Sequence, residues 1–429
     1  MAKKQGKKLR WLRLDNAAKI YPAARRRHWS NVYRQSMTLT EDVDVEVLKS
    51  ALDVTIKRFP SIAARLRSGA FWYYLHQIEK APEIREEQSY PIVYMSNKEI
   101  NECAFRVIVY GARIAVEFFH ALTDGNGAMI FLKSLVAEYL EQKYSITIPY
   151  ECGILDRREA PKPEELEDSF LKYAGPVAAS RKDTNAWRPQ GEVEPERYLH
   201  LTCFQIPVKD ALERAHQYGA TLTVFMGAIL MQALANLQKE KVPNIRRRKP
   251  VKLLIPANLR SLFPSKTLRN FVMYTIPEID PRLGDYTIEE LCKMIQHKMG
   301  LELTAKHMST IISTNVGDEK NILLRLVPLP LKNLVMKAVF DAVGERRSCM
   351  SMSNLGRIQL PKEMQPYVKR VDFILGVQAA APYNCGMLSY GDTIYMNFIR
   401  NTRLPDMERH FFAVLQHMGL PAMVESNTN

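Results

Sequence analysis

Close cysteine pairs are missing from this chain. Its six cysteines, at positions 103, 152, 203, 292, 349 and 385 of 429 residues, include no C-x-x-C, which excludes the common zinc and dithiol redox motifs. Long hydrophobic runs are missing as well. The basic first residues are followed by no apolar stretch of signal-peptide or membrane-spanning length. Together these absences predict a protein of the reducing cytoplasm, with six free thiols. The most apolar candidate, Ile322 to Phe340, is interrupted by Arg325, Pro328, Pro330, Lys332 and Lys337. It cannot cross a bilayer cheaply, which leaves it to lie on one as a peripheral contact or to line an apolar channel. No segment has a composition that would prevent burial, so long disorder is excluded.

Acidic residues are the scarcer sign, 46 Asp and Glu against 60 Lys and Arg, for a formal charge of +14. Such an excess calls for an acidic counterpart: nucleic acid, anionic lipid, a phosphorylated cofactor or an acidic carrier protein. Much of it sits in short runs, Lys3 to Arg13, Arg25 to Arg27 and Arg246 to Lys249, each of which also reads as a solvated loop. Nucleic acid is set aside because basic and aromatic residues do not interleave in the recognised patterns.

What is present is enough apolar residue, 46%, to fill two cores, and a chain of this length divides into two domains. Boundaries fall at 1–160 for a first lobe, 161–198 for a crossover and 199–429 for a second lobe. In the first lobe, residues 31–40 read as a strand, and 44–58 as a helix with Val45, Leu48, Leu52 and Ile56 on one face. Strands follow at 62–66, 71–78, 105–110 and 113–119, the last two turning at Gly111, and a helix at 127–143. From Arg157 to Arg197 the composition shifts to Pro, Glu, Lys and Arg, which suits a linker crossing the surface. Beyond it, strands fit 200–206, 251–256, 271–276, 349–353, 373–378 and 393–399. Helices fit 208–218, 223–239, 288–307 and 407–418.

A faint repeat links Gly111 to His120 (GARIAVEFFH) with Gly391 to Arg400 (GDTIYMNFIR). Each reads as a strand leading to a helix. A pseudo-dimer of two α/β units would give this pattern, with Arg400 in one copy where the other has His120; so would coincidence between two amphipathic strands.

The stretch Phe118 to Gly127 contains H-x-x-x-D-G, with His120 at the end of an apolar strand and Asp124 at the start of a helix. A histidine there is held rigidly and projects from an exposed strand end. As a neutral imidazole it can take a proton from a hydroxyl or amine. Asp124 sits where free backbone N–H groups favour a carboxylate, so its task is to hold the loop. Gly125 and Gly127 suit a backbone conformation that a β-carbon would obstruct. The plain alternative is that His120 ends a strand and Asp124 caps a helix. A metal site would need three or four ligands, and no other His or Cys cluster accompanies this pair.

In this motif the chain resembles the acyltransferases with the chloramphenicol-acetyltransferase-like fold, which includes alcohol acetyltransferases and peptide-synthetase condensation domains. Further stations match in order: Pro256-Ala257-Asn258-Leu259-Arg260, Asn270-Phe271, Ser353-Asn354-Leu355-Gly356, and an opening Leu14 to Pro22 that looks like the alcohol-acetyltransferase branch. The resemblance implies a two-lobed α/β pseudo-dimer of mixed sheets flanked by helices. It implies an acyl-CoA or acyl-carrier-protein donor, a small hydroxyl or amine acceptor, and no metal. His120 would act as general base without a covalent acyl-enzyme, Arg260 would pair with Asp124, and Ser353 and Asn354 would be candidate donors to the developing oxyanion. Asn270 would support the site or only fix a loop. Condensation domains carry two consecutive histidines where this chain has Phe119 before His120, which weighs against peptide-bond condensation. The other class of reading is a non-catalytic member of the fold that binds a carrier protein or lipid.

Overall fold

Strand Arg113–Phe119 is buried at every residue after its first, the signature of a strand covered on both faces. It lies inside a larger scaffold. The computed structural model describes residues 11–25, 31–177, 185–194, 198–320, 326–339, 347–377 and 381–427. Of the basic runs, Lys3 to Arg10 and Arg26 to Arg27 lie outside these residues, as does part of the apolar stretch 322–340.

Three sheets form. β1 (Trp11–Arg13), β3 (Ala64–Ser68) and β4 (Tyr73–Gln77) make a small one in the order β1-β4-β3. β2 (Val32–Leu39), β5 (Ile84–Glu86), β6 (Phe105–Tyr110), β7 (Arg113–Phe119) and β13 (Val368–Ile374) make the second, in the order β13-β2-β7-β6-β5. The third contains β8 (His200–Pro207), β9 (Val251–Asn258), β10 (Val272–Thr275), β11 (Glu278–Ile279), β12 (Met350–Arg357), β14 (Tyr383–Tyr390), β15 (Thr393–Arg400) and β16 (Met423–Ser426). Its order is β10-β9-β12-β14-β15-β8-β16, with β11 also on β9. Both large sheets mix parallel and antiparallel pairs.

Helices α1 (Ile20–Ala24), α2 (Val45–Arg58), α3 (Asn97–Glu102) and α4 (Gly125–Tyr144) accompany the first half, and α5 (Ser169–Tyr173) lies in the crossover. In the second half come α6 (Val208–Gln217), α7 (Leu222–Lys241), α8 (Ile288–Glu302), α9 (Ala305–Lys320), α10 (Leu329–Val339) and α11 (Asp406–His417). Thirteen of the 20 residues of α4 are buried, so it runs through the core and holds its N-terminus rigidly.

Four expectations change. The late strand β13 pairs with β2, so the second lobe does not keep all of 199–429 to itself. Gly386 on β14 makes this possible: a β-carbon there would lie 2.2 Å from the Phe373 carbonyl oxygen, where the sheets meet. The run 383–390, with Asn, Cys, Gly and Ser among its apolar residues, has no period to betray it, yet seven of its eight residues are buried. The crossover is not merely superficial. Glu165 takes both terminal nitrogens of buried Arg58, at 2.6 and 2.7 Å, and Phe170 is fully buried, its ring 5.3 Å from that of Phe271. The helix expected over 288–307 stops at Glu302 and restarts at Ala305.

The repeat acquires structural support. Gly111 and Gly391 both sit at positive φ, +52° and +57°, turning the hairpins β6-β7 and β14-β15. Each hairpin leads to a helix, α4 or α11. Where the first copy ends in His120, the second buries Arg400 against Glu408 at 2.6 Å.

Within the buried face of β7, Glu117 lies between Arg34 and Arg106, with ion-pair distances of 2.6 and 2.5 Å, and accepts from the Ile92 amide at 2.7 Å. Burial pushes its carboxyl up, but the two guanidiniums outweigh that and hold it below the ordinary carboxylate value. Replacing Glu117 with Gln removes the counterion that two buried guanidiniums share, leaving Arg34 with Glu87 and Arg106 with Glu99 at 3.6 Å, and should cost about 3 kcal/mol in urea unfolding. A depressed carboxyl contributes fully above its unfolded value and loses that contribution as pH falls towards its folded one. The gap between variant and wild type should therefore shrink on acidification below about pH 4.

Candidate active site

β7 ends at Phe119, and the next residue, His120, is tied at its backbone N–H to the Asn31 carbonyl at 2.9 Å. Its ring is half-buried. Tyr21 of α1 stacks on it with centroids 4.4 Å apart, and Tyr33 of β2 meets it edge-on at 4.9 Å. Two aromatic walls fix the plane of the ring. Its Nδ1 lies 3.1 Å from Asn270 Oδ1.

Asn270 is itself oriented from behind. Its Nδ2 donates to Asp15 Oδ2 at 3.2 Å, and its backbone N–H points to the same oxygen at 3.4 Å. Asp15 is fully buried, accepts from the Ala18 amide at 2.7 Å and lies 3.7 Å from Arg269. Because the carboxyl group takes the amide NH2, the amide oxygen must face the imidazole. An acceptor opposite Nδ1 selects the tautomer protonated there, which leaves the lone pair on Nε2. Burial lowers the His120 pKa below its ordinary value, against smaller opposing effects from Asp124, Asn270 and Asp15. The ring is therefore neutral at neutral pH.

Asp124 caps α4. Its Oδ1 accepts from the Asn126 and Gly127 amides, both at 3.1 Å. Its Oδ2 accepts from Arg260 Nη1 at 2.7 Å and from the Phe271 amide at 2.8 Å. All four donors surround one buried carboxylate, so it has no free lone pair directed at a substrate. Arg260 also donates to the carbonyls of Thr267 and Arg269, which locks the loop bearing Asn270. The Asp124 carboxylate thus ties the start of α4 to the loop bearing Asn270.

Gly127 is needed for space, and Gly125 lets a side chain pack closely. Neither has a positive φ, so the expected unusual backbone is not their reason. A β-carbon at 125 would lie 2.7 Å from Leu355 Cδ2, and one at 127 would lie 2.3 Å from the Leu268 carbonyl oxygen. Both neighbours come from the second half of the chain. The glycines let its segments close onto the start of α4.

Ser353 and Asn354 separate. The Asn354 amide donates to Thr223 at the start of α7, at 2.9 Å, and its oxygen accepts from the Gly356 amide. Strand alternation puts Ser353 on the other face of β12, the face from which Leu355 reaches Gly125. Asn354 therefore does not converge with His120. Asp15, Tyr21 and Tyr33 do belong to the arrangement, and sequence reasoning assigned them no role. The first two lie within the Leu14 to Pro22 opening that carries the resemblance.

If Asp124 and Arg260 act as one unit, Asp124→Asn and Arg260→Gln should each destabilise the protein by about 3 kcal/mol, and the double variant by clearly less than the sum. Chemical unfolding of the three variants measures this coupling.

No family model and no curated protein matches the chain. Solved structures do. TRI101 of Fusarium sporotrichioides, complexed with coenzyme A and T-2, aligns over 96% of this chain and 99% of its own, with a TM-score of 0.63 at 9% identity. The wax ester synthase/diacylglycerol acyltransferase of Marinobacter aquaeolei VT8 aligns over 95% and 100%, with a TM-score of 0.54 at 12% identity. The condensation domain of the monacolin K polyketide synthase MokA aligns over 96% and 97%, with a TM-score of 0.54 at 10% identity. This chain has the two-lobed α/β fold of the chloramphenicol-acetyltransferase-like and condensation-domain acyltransferases.

Proposed function

We propose that the protein is an acyltransferase that moves an acyl group from an acyl-CoA or an acyl carrier protein to a hydroxyl or amine acceptor, with His120 as general base. The observation that carries this reading is the chain from Asp15 through Asn270 to His120. It directs one ring nitrogen inward as a donor and leaves the other as an acceptor, in a ring kept neutral by burial. The structural neighbours, an acyltransferase and a complex with coenzyme A among them, support it.

The steps follow from that arrangement. His120 Nε2 takes the acceptor's proton as its oxygen or nitrogen attacks the thioester carbonyl carbon. The tetrahedral adduct carries a negative oxygen, for which the Ser353 hydroxyl is the proposed donor. Collapse breaks the carbon–sulfur bond, and the departing thiolate takes the proton back from Nε2. The acyl product and the free thiol leave, and His120 is neutral again. No bond forms between acyl group and protein. Six cysteines, all free, support placing this chemistry in a reducing compartment such as the cytoplasm, and the proposed catalytic unit is a monomer whose two lobes build one site.

His120→Ala should lower kcat by about 10²–10⁴-fold while donor binding persists; undiminished acyl transfer in that variant would remove His120 as the base, and donor binding without transfer by either protein would assign the fold a binding role. Since burial lowers the imidazole pKa, the acid limb of the kcat/KM profile should lie below the ordinary histidine value of about 6.5. Asp15→Asn, which lets the Asn270 amide turn over, should reduce kcat about tenfold or more with little change in KM for the donor. Initial rates with a panel of acyl thioesters and alcohols or amines, read by mass spectrometry, test all three.

A further inference from the structure

Seven of the 21 large apolar side chains exposed among the described residues belong to one region. Trp11, Phe71 and Trp72 flank a groove of about 660 Å³ on the small sheet, lined also by Arg13, Leu14 and Lys19. Beside it lies α10, hydrogen-bonded to the loop before β4 through Leu329 N–H to the Ala70 carbonyl at 2.9 Å and Lys332 Nζ to the Phe71 carbonyl at 3.1 Å. Leu331, Leu334 and Val335 lie one helical turn apart on α10, exposed by 52, 66 and 55%. Leu326 precedes them at 65%. Side chains of this size at helical spacing would ordinarily face a core, and here they face outward.

The charge of the region has one sign. Residues 11–14, 68–78 and 326–339 contain no Asp or Glu, while Arg13, Lys332 and Lys337 lie among them and Lys19 lines the groove beside them. Lys332 Nζ stands 3.4 Å from the Trp72 ring centroid and Lys19 Nζ 5.7 Å from it. Tryptophan with lysine around a protruding aliphatic helix is the composition that settles at a lipid headgroup boundary. The rings and aliphatic chains enter the apolar edge, and the ammonium groups remain with the phosphates. A protein partner would instead need a concave apolar match for α10.

We propose that α10 and the Trp11–Trp72 face of the small sheet form a docking surface for an anionic lipid bilayer. The surface is one helix from the chemistry. α10 packs on α1, and α1 carries Tyr21, whose ring stacks on His120. Docking would therefore hold the site close to a bilayer, where an apolar acceptor or acyl chain resides. That last clause rests on the acyltransferase reading; the docking does not.

Flotation of the full-length protein with phosphatidylcholine vesicles, with and without phosphatidylserine, tests it directly. The expected result is binding about tenfold tighter to the phosphatidylserine vesicles, weakened by salt. The double substitution Leu334→Glu with Val335→Glu should abolish it with an unchanged unfolding midpoint, because both side chains are exposed. Lys337→Glu, which leaves the apolar face intact, should weaken it. No binding to either vesicle, equal binding to both, or undiminished binding by the double variant would overturn the proposal. So would capture of an acidic carrier protein without vesicle binding. Acyl transfer to a water-soluble alcohol, followed in parallel, separates this outcome from failure of the enzymatic reading.

Discussion

One carboxylate holds the site together. Asp124 accepts two amides at the start of α4, the Arg260 guanidinium and the Phe271 amide, so a single buried group joins the helix after β7 to the loop after β9. A buried anion with fewer donors would be costly, and one with four has little freedom to move. Arg260 extends the tie by binding the carbonyls of Thr267 and Arg269, which brings the next residue, Asn270, into place. The orientation of the His120 ring is thus a consequence of packing between the two halves of the chain. Glycines at 125 and 127 serve the same closure by leaving room for Leu355 and the Leu268 carbonyl.

The internal duplication makes the division of labour visible. Both copies turn at a left-handed glycine, run out along a buried strand and enter a helix. In one, the strand-end residue stays half-open and keeps an imidazole. In the other, Arg400 is buried, paired to Glu408 and bound to the Thr402 carbonyl, an arrangement that stabilises but cannot exchange protons. The five-stranded sheet does not belong wholly to the first half, since β13 crosses to pair with β2. The lobes are consequently held in register, which keeps the Asn270 side chain facing the His120 ring.

Elements with a clear period or a clear boundary signal were readable in advance. β2, α2, the β6-β7 hairpin, α4, α7, β8 and β15 fall within a few residues of their expected limits, because one buried face or a fully apolar run imposes its own pattern. β14 was not readable, since its small and polar residues are buried by close approach to β13 and carry no alternation. The buried part of the crossover was hidden for a similar reason: Glu165 reads as solvated until Arg58, more than 100 residues earlier, is seen beside it.

The same contrast runs through the site. Local order in the chain settles that an imidazole ends an apolar strand and that a capping carboxylate starts the following helix, because both depend on neighbours within a few residues. Which tautomer the imidazole adopts, that Asn270 and Asp15 stand behind it while Asn354 faces α7, and that Tyr21 covers its ring, all depend on contacts between residues 99 to 255 positions apart. Such contacts leave no periodic trace, since a hydrogen bond across two lobes constrains two residues and none of those between them.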